Sequence, residues 1–185
     1  MSDKTVISHK PISPPYIYNK NIKYYFSKQN PKMEHLFIAR HADYDYNRRI
    51  SEKGRKQMET LADAIKGMID NTPAHILSST APRAMDSSEE LAQYLNAEIE
   101  HMPYLWSGGD APRGGYDYDE SRLARIVQDS KADALILMTH LEVVSSFPDY
   151  FVRDVLGTDM VVKSPKKGQA IYIDFEIMVV GNLPE

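Results

Sequence analysis

From His35 onward the chain alternates short apolar runs with longer segments whose apolar residues recur every three or four positions, and few architectures satisfy that pattern. His35 to Arg40 (His-Leu-Phe-Ile-Ala-Arg), Ala74 to Ser79 and Ala134 to Thr139 (Ala-Leu-Ile-Leu-Met-Thr) read as strands, and Glu98 to Met102 as a shorter one. Ser51 opens a helix in which Met58, Leu61, Ala62, Ile65, Met68 and Ile69 share a face, ending near Asn71-Thr72-Pro73. Pro82 opens a second helix with Ala84, Leu91 and Leu95 inward, and a third is expected near Tyr118 to Gln128, after a loop rich in Gly and Pro from Pro103 to Gly115. A fourth follows His140, where Pro148 is expected to break or kink it. Two last strands, Met160 to Lys163 and Ala170 to Val180, are expected around a turn at Ser164 to Gly168. This alternation predicts an α/β three-layer sandwich, a mainly parallel central sheet flanked by helices.

With 185 residues, 42% of them hydrophobic, the chain has material for one compact domain. Its charge is uneven. Residues 1–34 hold Lys4, Lys10, Lys20, Lys23, Lys28 and Lys32 against Asp3 and Glu34, a balance of +4 that leaves the rest of a -4 chain at -8. Pro11, Pro14, Pro15 and Pro31 surround the tyrosine-rich run from Tyr16 to Phe26, and no amphipathic period develops there. An extended or loosely attached arm is therefore expected over 1–34, and the folded domain over 35–185. Such an arm suits an anionic partner or a membrane surface; the preferred reading is a solvated arm that packs a few tyrosines on the domain. The absence of cysteine excludes disulfides, thiolate nucleophiles and Cys-based zinc sites. The acidic balance offers no footprint for nonspecific nucleic-acid binding. No apolar run reaches the roughly 20 residues that cross a bilayer, and the N-terminus has no signal-peptide core. The expectation is a cytoplasmic protein with no nucleic-acid partner and no membrane span.

Open α/β sheets bind ligands beyond the C-terminal ends of their strands. There the first strand delivers Arg40-His41, the second leads through Ser78-Ser79-Thr80 to Arg83, and the strongest strand delivers Thr139-His140. Arginine donates two parallel hydrogen bonds to phosphate oxygens, and a histidine with one nitrogen held protonated can aim the other at an electrophile. Together these residue types make a phosphoryl-transfer pocket that needs no metal or other cofactor. Backbone N–H groups at the start of the helix after Thr80 could add donors.

These residues resemble the histidine phosphatase superfamily, which includes phosphoglycerate mutases and small bacterial phosphohistidine phosphatases. Arg40-His41-Ala42 stands where the family has Arg-His-Gly. Ser78-Ser79-Thr80-Ala81-Pro82-Arg83-Ala84 is similar to Ser-Ser-Pro-x-x-Arg-Ala, Thr139-His140 to the late Thr-His, and Ile50-Ser51-Glu52-Lys53-Gly54 to Leu-Thr-x-x-Gly. The resemblance spans about residues 35–180, makes 35–185 a catalytic domain of phosphoglycerate mutase-like fold, and is nearest the small phosphohistidine phosphatase branch. It implies attack by His41 on phosphorus, with Arg40, Arg83 and His140 binding the equatorial oxygens and Asn47 and Arg48 as further substrate contacts. It implies an acid for the leaving group; Tyr104 stands where a Glu is expected, and Asp110 is the nearest candidate. The substrate implied is a phosphohistidine protein or a small phosphomonoester.

Other readings stand beside this one. Ala42 in place of glycine and the unmatched acid fit a phosphate-binding module without turnover, and a mutase is disfavoured by the short acid-loop region without a cap insertion. A Ser-His hydrolase through Ser78 or Ser79 lacks a nucleophile elbow. His9, His35, His75 and His101 read as ordinary structural residues, Arg83 could instead pair with Asp86 or Glu90 on a helix surface, and clustered carboxylates at metal-ligand spacing are missing.

Overall fold

The structure is a computed structural model that describes residues 33–107, 118–159, 161–176 and 179–184; the expected arm up to residue 32 and Asp110 lie outside the described residues. Six strands, β1 (His35–Arg40), β2 (Ala74–Ser79), β3 (Glu98–Met102), β4 (Ala134–Thr139), β5 (Ala170–Asp174) and β6 (Val179–Leu183), form one sheet in the order β3-β2-β4-β1-β5-β6. The β3-β2-β4-β1 part is parallel, while β5 and β6 run antiparallel to their neighbours, so the sheet is mixed. Helices α1 (Glu52–Ile69) and α2 (Pro82–Leu95) cover one face, and α3 (Glu120–Asp129) and α4 (Leu141–Tyr150) the other.

The period of two along each strand sorts the core into two clusters. Phe37, Ala39, Ile76, Ile136 and Met138 pack against Met58, Leu61 and Ile65 of α1 and Leu91 of α2. Their alternates Leu36, Ile38, Leu135 and Leu137 meet Leu123 and Val127 of α3 and Val143 and Phe147 of α4. All six residues of β4 are buried, as a central strand covered on both faces requires. At the start of α1 the Ser51 hydroxyl accepts from Gly54 N–H at 3.1 Å, a side-chain cap, with Glu52 in the first turn and Lys66 in the last to complement the helix dipole. Pro82 occupies the start of α2, where its missing N–H costs nothing.

Two local expectations are corrected. Residues 161–163 form no strand: Val161 is 94% exposed, and the Val162 N–H is taken by the Asp149 carboxylate at 3.3 Å. The closing hairpin lies wholly later, with β5 and β6 splitting the single run expected from Ala170 to Val180. Pro148 does not break α4, which continues to Tyr150 and then widens into a π-helical turn over Phe151–Val155. The carbonyl that Pro148 leaves without its helical donor belongs to Val144, and the Ser164 hydroxyl donates to it at 3.4 Å.

Candidate active site

The neighbouring strands β2, β4 and β1 end side by side, which brings three sequence-distant segments to one crevice. Arg40 and Thr139 are register partners, and the His41 N–H continues the ladder to the Thr139 carbonyl at 2.9 Å. His41 and His140 are therefore held one residue beyond adjacent strand ends, with ring centroids 5.2 Å apart. Arg83, on the first turn of α2, is 7% exposed and faces inward between them. Its Nε donates to His41 Nε2 at 3.1 Å and its Nη2 meets His140 Nδ1, also at 3.1 Å. The surface-pair alternative for Arg83 falls away, because Asp86 is taken bidentately by Arg49 and Glu90 by Arg55.

These contacts fix both tautomers. His41 Nδ1 lies 2.9 Å from the Ala42 carbonyl, which can only accept, so Nδ1 carries the proton and Nε2 keeps its lone pair. In His140 the roles reverse. Nδ1 faces a guanidinium that can only donate, so Nε2 carries the proton and donates to Ser79 Oγ at 2.8 Å. That arrangement denies Ser79 a general base and makes it a support for His140; its oxygen also accepts from Ala81 N–H at 3.2 Å.

Burial, followed by the charges of Arg83, Arg40 and Lys167, lowers the His41 pKa from 6.5 to about 4, against the opposing pull of the Ala42 carbonyl. The imidazole is thus neutral at neutral pH, surrounded by cations that would attract an anionic ligand. Arg40 is half-buried at the end of β1, and its Nε is a buried donor with no hydrogen-bond partner among the described residues, a group that a phosphate oxygen would satisfy.

Ala42 is buried and is not among the residues with positive φ, so the backbone there places no demand for glycine. Its N–H donates to Ser87 Oγ at 3.0 Å, and Ser87 in turn donates to the Arg83 carbonyl. The glycine that matters in this region is Gly54: a Cβ there would stand 2.2 Å from the Asp43 carbonyl and 2.7 Å from the Ile50 side chain. Its absence lets α1 press against the segment that follows His41.

Asn47 and Arg48 sit on the exposed tip of the loop between His41 and α1, outside the buried cluster. The loop is closed by a Tyr44–Ile50 bridge; Asp45 Oδ1 accepts from Asn47 N–H, and Arg48 takes a left-handed φ of 62°. Tyr104 serves the fold: its hydroxyl exchanges hydrogen bonds with the backbone of Asp119, and Arg122 lies over its ring at 4.3 Å.

Two site residues escaped sequence reading. The Tyr44 ring packs edge-on to His41 at 5.4 Å and beneath the Arg83 guanidinium at 5.5 Å. Lys167 Nζ lies 4.2 Å from the centre of the same ring and 3.2 Å from Asp43. Lys167 arrives on the turn before β5, where Gly168 N–H donates to the Arg40 and His41 carbonyls. The sole signal for it was the Lys166-Lys167-Gly168 sequence itself, since nothing local connects that turn to His41.

Comparison with known proteins bears on the fold and on the first half of the site's sequence motifs. Residues 36–107 match the family profile of the histidine phosphatase superfamily (branch 1), a segment that holds His41 and Arg83 and stops short of His140. No curated protein sequence matches the chain. Among solved structures, the protein histidine phosphatase SixA complexed with tungstate is 19% identical, with 80% of this chain and 94% of that one covered at a TM-score of 0.54. A mycobacterial glucosyl-3-phosphoglycerate phosphatase, solved with VO3, is 16% identical over 82% of this chain and 98% of its own, at 0.55. Phosphoglycerate mutase from Plasmodium falciparum is 16% identical over 81% and 89%, at 0.52. The α/β sandwich of this chain is the fold those proteins share, and the resemblance that the motifs carried is found again in the family profile. No described helix is long and apolar enough to cross a membrane.

Proposed function

We propose that this chain, whose residues 36–107 carry the histidine phosphatase superfamily pattern, is a phosphatase with His41 as its nucleophile. One observation carries the reading: His41 is neutral, its Nδ1 proton is committed to the Ala42 carbonyl, and its Nε2 lone pair faces the Arg83–His140 cluster. A phosphoryl group entering the crevice takes over the Arg83 hydrogen bonds and the free Nε donor of Arg40. Attack in line forms the Nε2–P bond as the bond to the leaving group breaks, and the charge on the three equatorial oxygens is stabilised by Arg40, Arg83 and His140. Water then displaces His41 from phosphorus and releases inorganic phosphate. The substrate is a phosphohistidine protein or a small phosphomonoester. An alkyl leaving group needs a proton, for which Asp110 is the candidate donor; a phosphohistidine leaving group needs that help less.

Turnover of p-nitrophenyl phosphate and of a phosphohistidine protein by the wild type, lost in His41→Ala, is the expected result. Wild type and variant that bind phosphate equally and turn over neither substrate would instead mark a phosphate-binding module.

A further inference from the structure

Beside the catalytic crevice, the turn before β5 and the first turns of α1 flank an open, concave site of about 460 Å³. Lys53, Lys56, Lys166 and Lys167 line it, with Asp43 as the one lining carboxylate among the described residues. Asp43 is bridged by Lys53 at 2.5 Å and Lys167 at 3.2 Å, which holds its carboxyl below the usual carboxylate range. Among the described residues Lys56 makes only an exposed helical pair with Glu52 at 3.3 Å, and the Lys166 side chain is exposed. Among the described residues four lysines line this concave site against one carboxylate, with Glu52 pairing Lys56 from outside it, on a domain whose sequence balance is -8. A second basic cavity, of about 380 Å³, adjoins it through Lys166 and brings in Lys163 and the Asn182 side.

The turn that carries Lys166 and Lys167 is held there by the fold. Gly168 has φ +72°, and a Cβ on it would come within 2.5 Å of Gln57 on α1, so the turn can seat itself closely on that helix. The same glycine is tied by its N–H to the carbonyls of Arg40 and His41. Lys167, which lines the cavity, also lies on the Tyr44 ring that packs against His41. Lys167 and the Tyr44 ring thus link the basic cavity to the His41 side of the catalytic crevice.

We infer that this lysine-lined cavity is a second anion subsite, and that the substrate is a small organophosphate bearing a further anionic group, which the cavity holds while His41 faces the scissile phosphate. The inference rests on the phosphatase reading of the His41 pocket and narrows its substrate class. One orthophosphate occupies one site, with the Arg40, Arg83 and His140 donors favouring the catalytic pocket, whereas a longer polyanion is expected to engage both.

Calorimetric titration of the full chain with orthophosphate and with tripolyphosphate at low ionic strength tests it. The wild type is expected to bind tripolyphosphate at least about tenfold more tightly, the scale of one added charge-assisted contact. Lys56→Gln combined with Lys166→Gln, two exposed positions away from His41, is expected to remove that preference and leave orthophosphate binding unchanged, which also reports an intact fold. Equal affinity for the two anions in the wild type would overturn the subsite, as would a preference that survives the double variant. Tripolyphosphate binding that persists at full strength in Arg83→Met would show a cavity independent of the catalytic pocket and refute the substrate assignment. So would a double variant that slows hydrolysis of a phosphohistidine protein while leaving tripolyphosphate affinity untouched. The readout is binding, so a failure of turnover, which would sink the phosphatase reading, leaves this comparison decisive.

Discussion

Acidification reaches the proposed nucleophile through the stability of the fold. Burial and the neighbouring cations hold the His41 pKa at about 4, against 6.5 for the ordinary side chain. Between those values the unfolded chain binds more protons than the folded one, so stability rises with pH across the window. The contribution of neutral His41 is complete above the unfolded value, declines as pH falls, and is gone below the folded value. A shift of this size corresponds to about 3 kcal/mol in the limit, of which about 2 kcal/mol separates measurements at about pH 7 and about pH 4.5. Urea denaturation of wild type and His41→Gln at those two pH values isolates it, because the other titrating groups are common to both proteins. The wild type is expected to lose about 2 kcal/mol more than the variant on acidification. Equal losses, or a His41 ring signal titrating at the ordinary histidine value by NMR, would refute the argument that the nucleophile is kept neutral by its surroundings.

Three substitutions probe the supports of the site. Arg83→Met removes the guanidinium that spans both histidines, and kcat for p-nitrophenyl phosphate is expected to fall by about 10²–10³, with the His41 pKa moving back toward its ordinary value. Ser79→Ala leaves the His140 Nε2–H and the Ala81 N–H without their acceptor, at a cost of about 1–3 kcal/mol by denaturant titration and with a smaller loss of kcat than Arg83→Met. Gly54→Ala forces a Cβ onto the Asp43 carbonyl and is expected to cost about 3 kcal/mol, a thermal midpoint lower by about 10 °C, by thermal denaturation.

The order of elements was legible because each signal was local. The apolar run of β4 and the three-and-four spacing of α1 depend on nothing distant, and the Arg40-His41, Arg83 and Thr139-His140 motifs then fell at neighbouring strand ends. What escaped depends on contacts between remote segments. Val161 and Val162 have strand-forming side chains, yet neither pairs with a strand among the described residues, and the Asp149 carboxylate takes the Val162 N–H that a ladder would need. Pro148 reads as a breaker until Ser164, sixteen residues later, supplies the missing donor to Val144. Ala42 looked like a defect in the motif, but its backbone is ordinary and the tight approach falls on Gly54 instead. Ser79 belonged to a recognised motif without revealing its task, which exists only once β4 sets His140 beside it. Tyr44 and Lys167 are ordinary surface residue types in sequence; the Gly168 turn, folded back onto α1, makes them part of the site.

The central claim is that His41 Nε2 becomes bonded to phosphorus. Rapid quenching of the wild type with a radiolabelled phosphoryl donor, followed by mapping of the label, tests it most directly. The account predicts a phosphoenzyme stable in alkali and lost in acid, with the label on the peptide that contains His41 and absent from His41→Ala. Label that survives acid, that maps to Ser79 or another residue, or that persists undiminished in His41→Ala would contradict it.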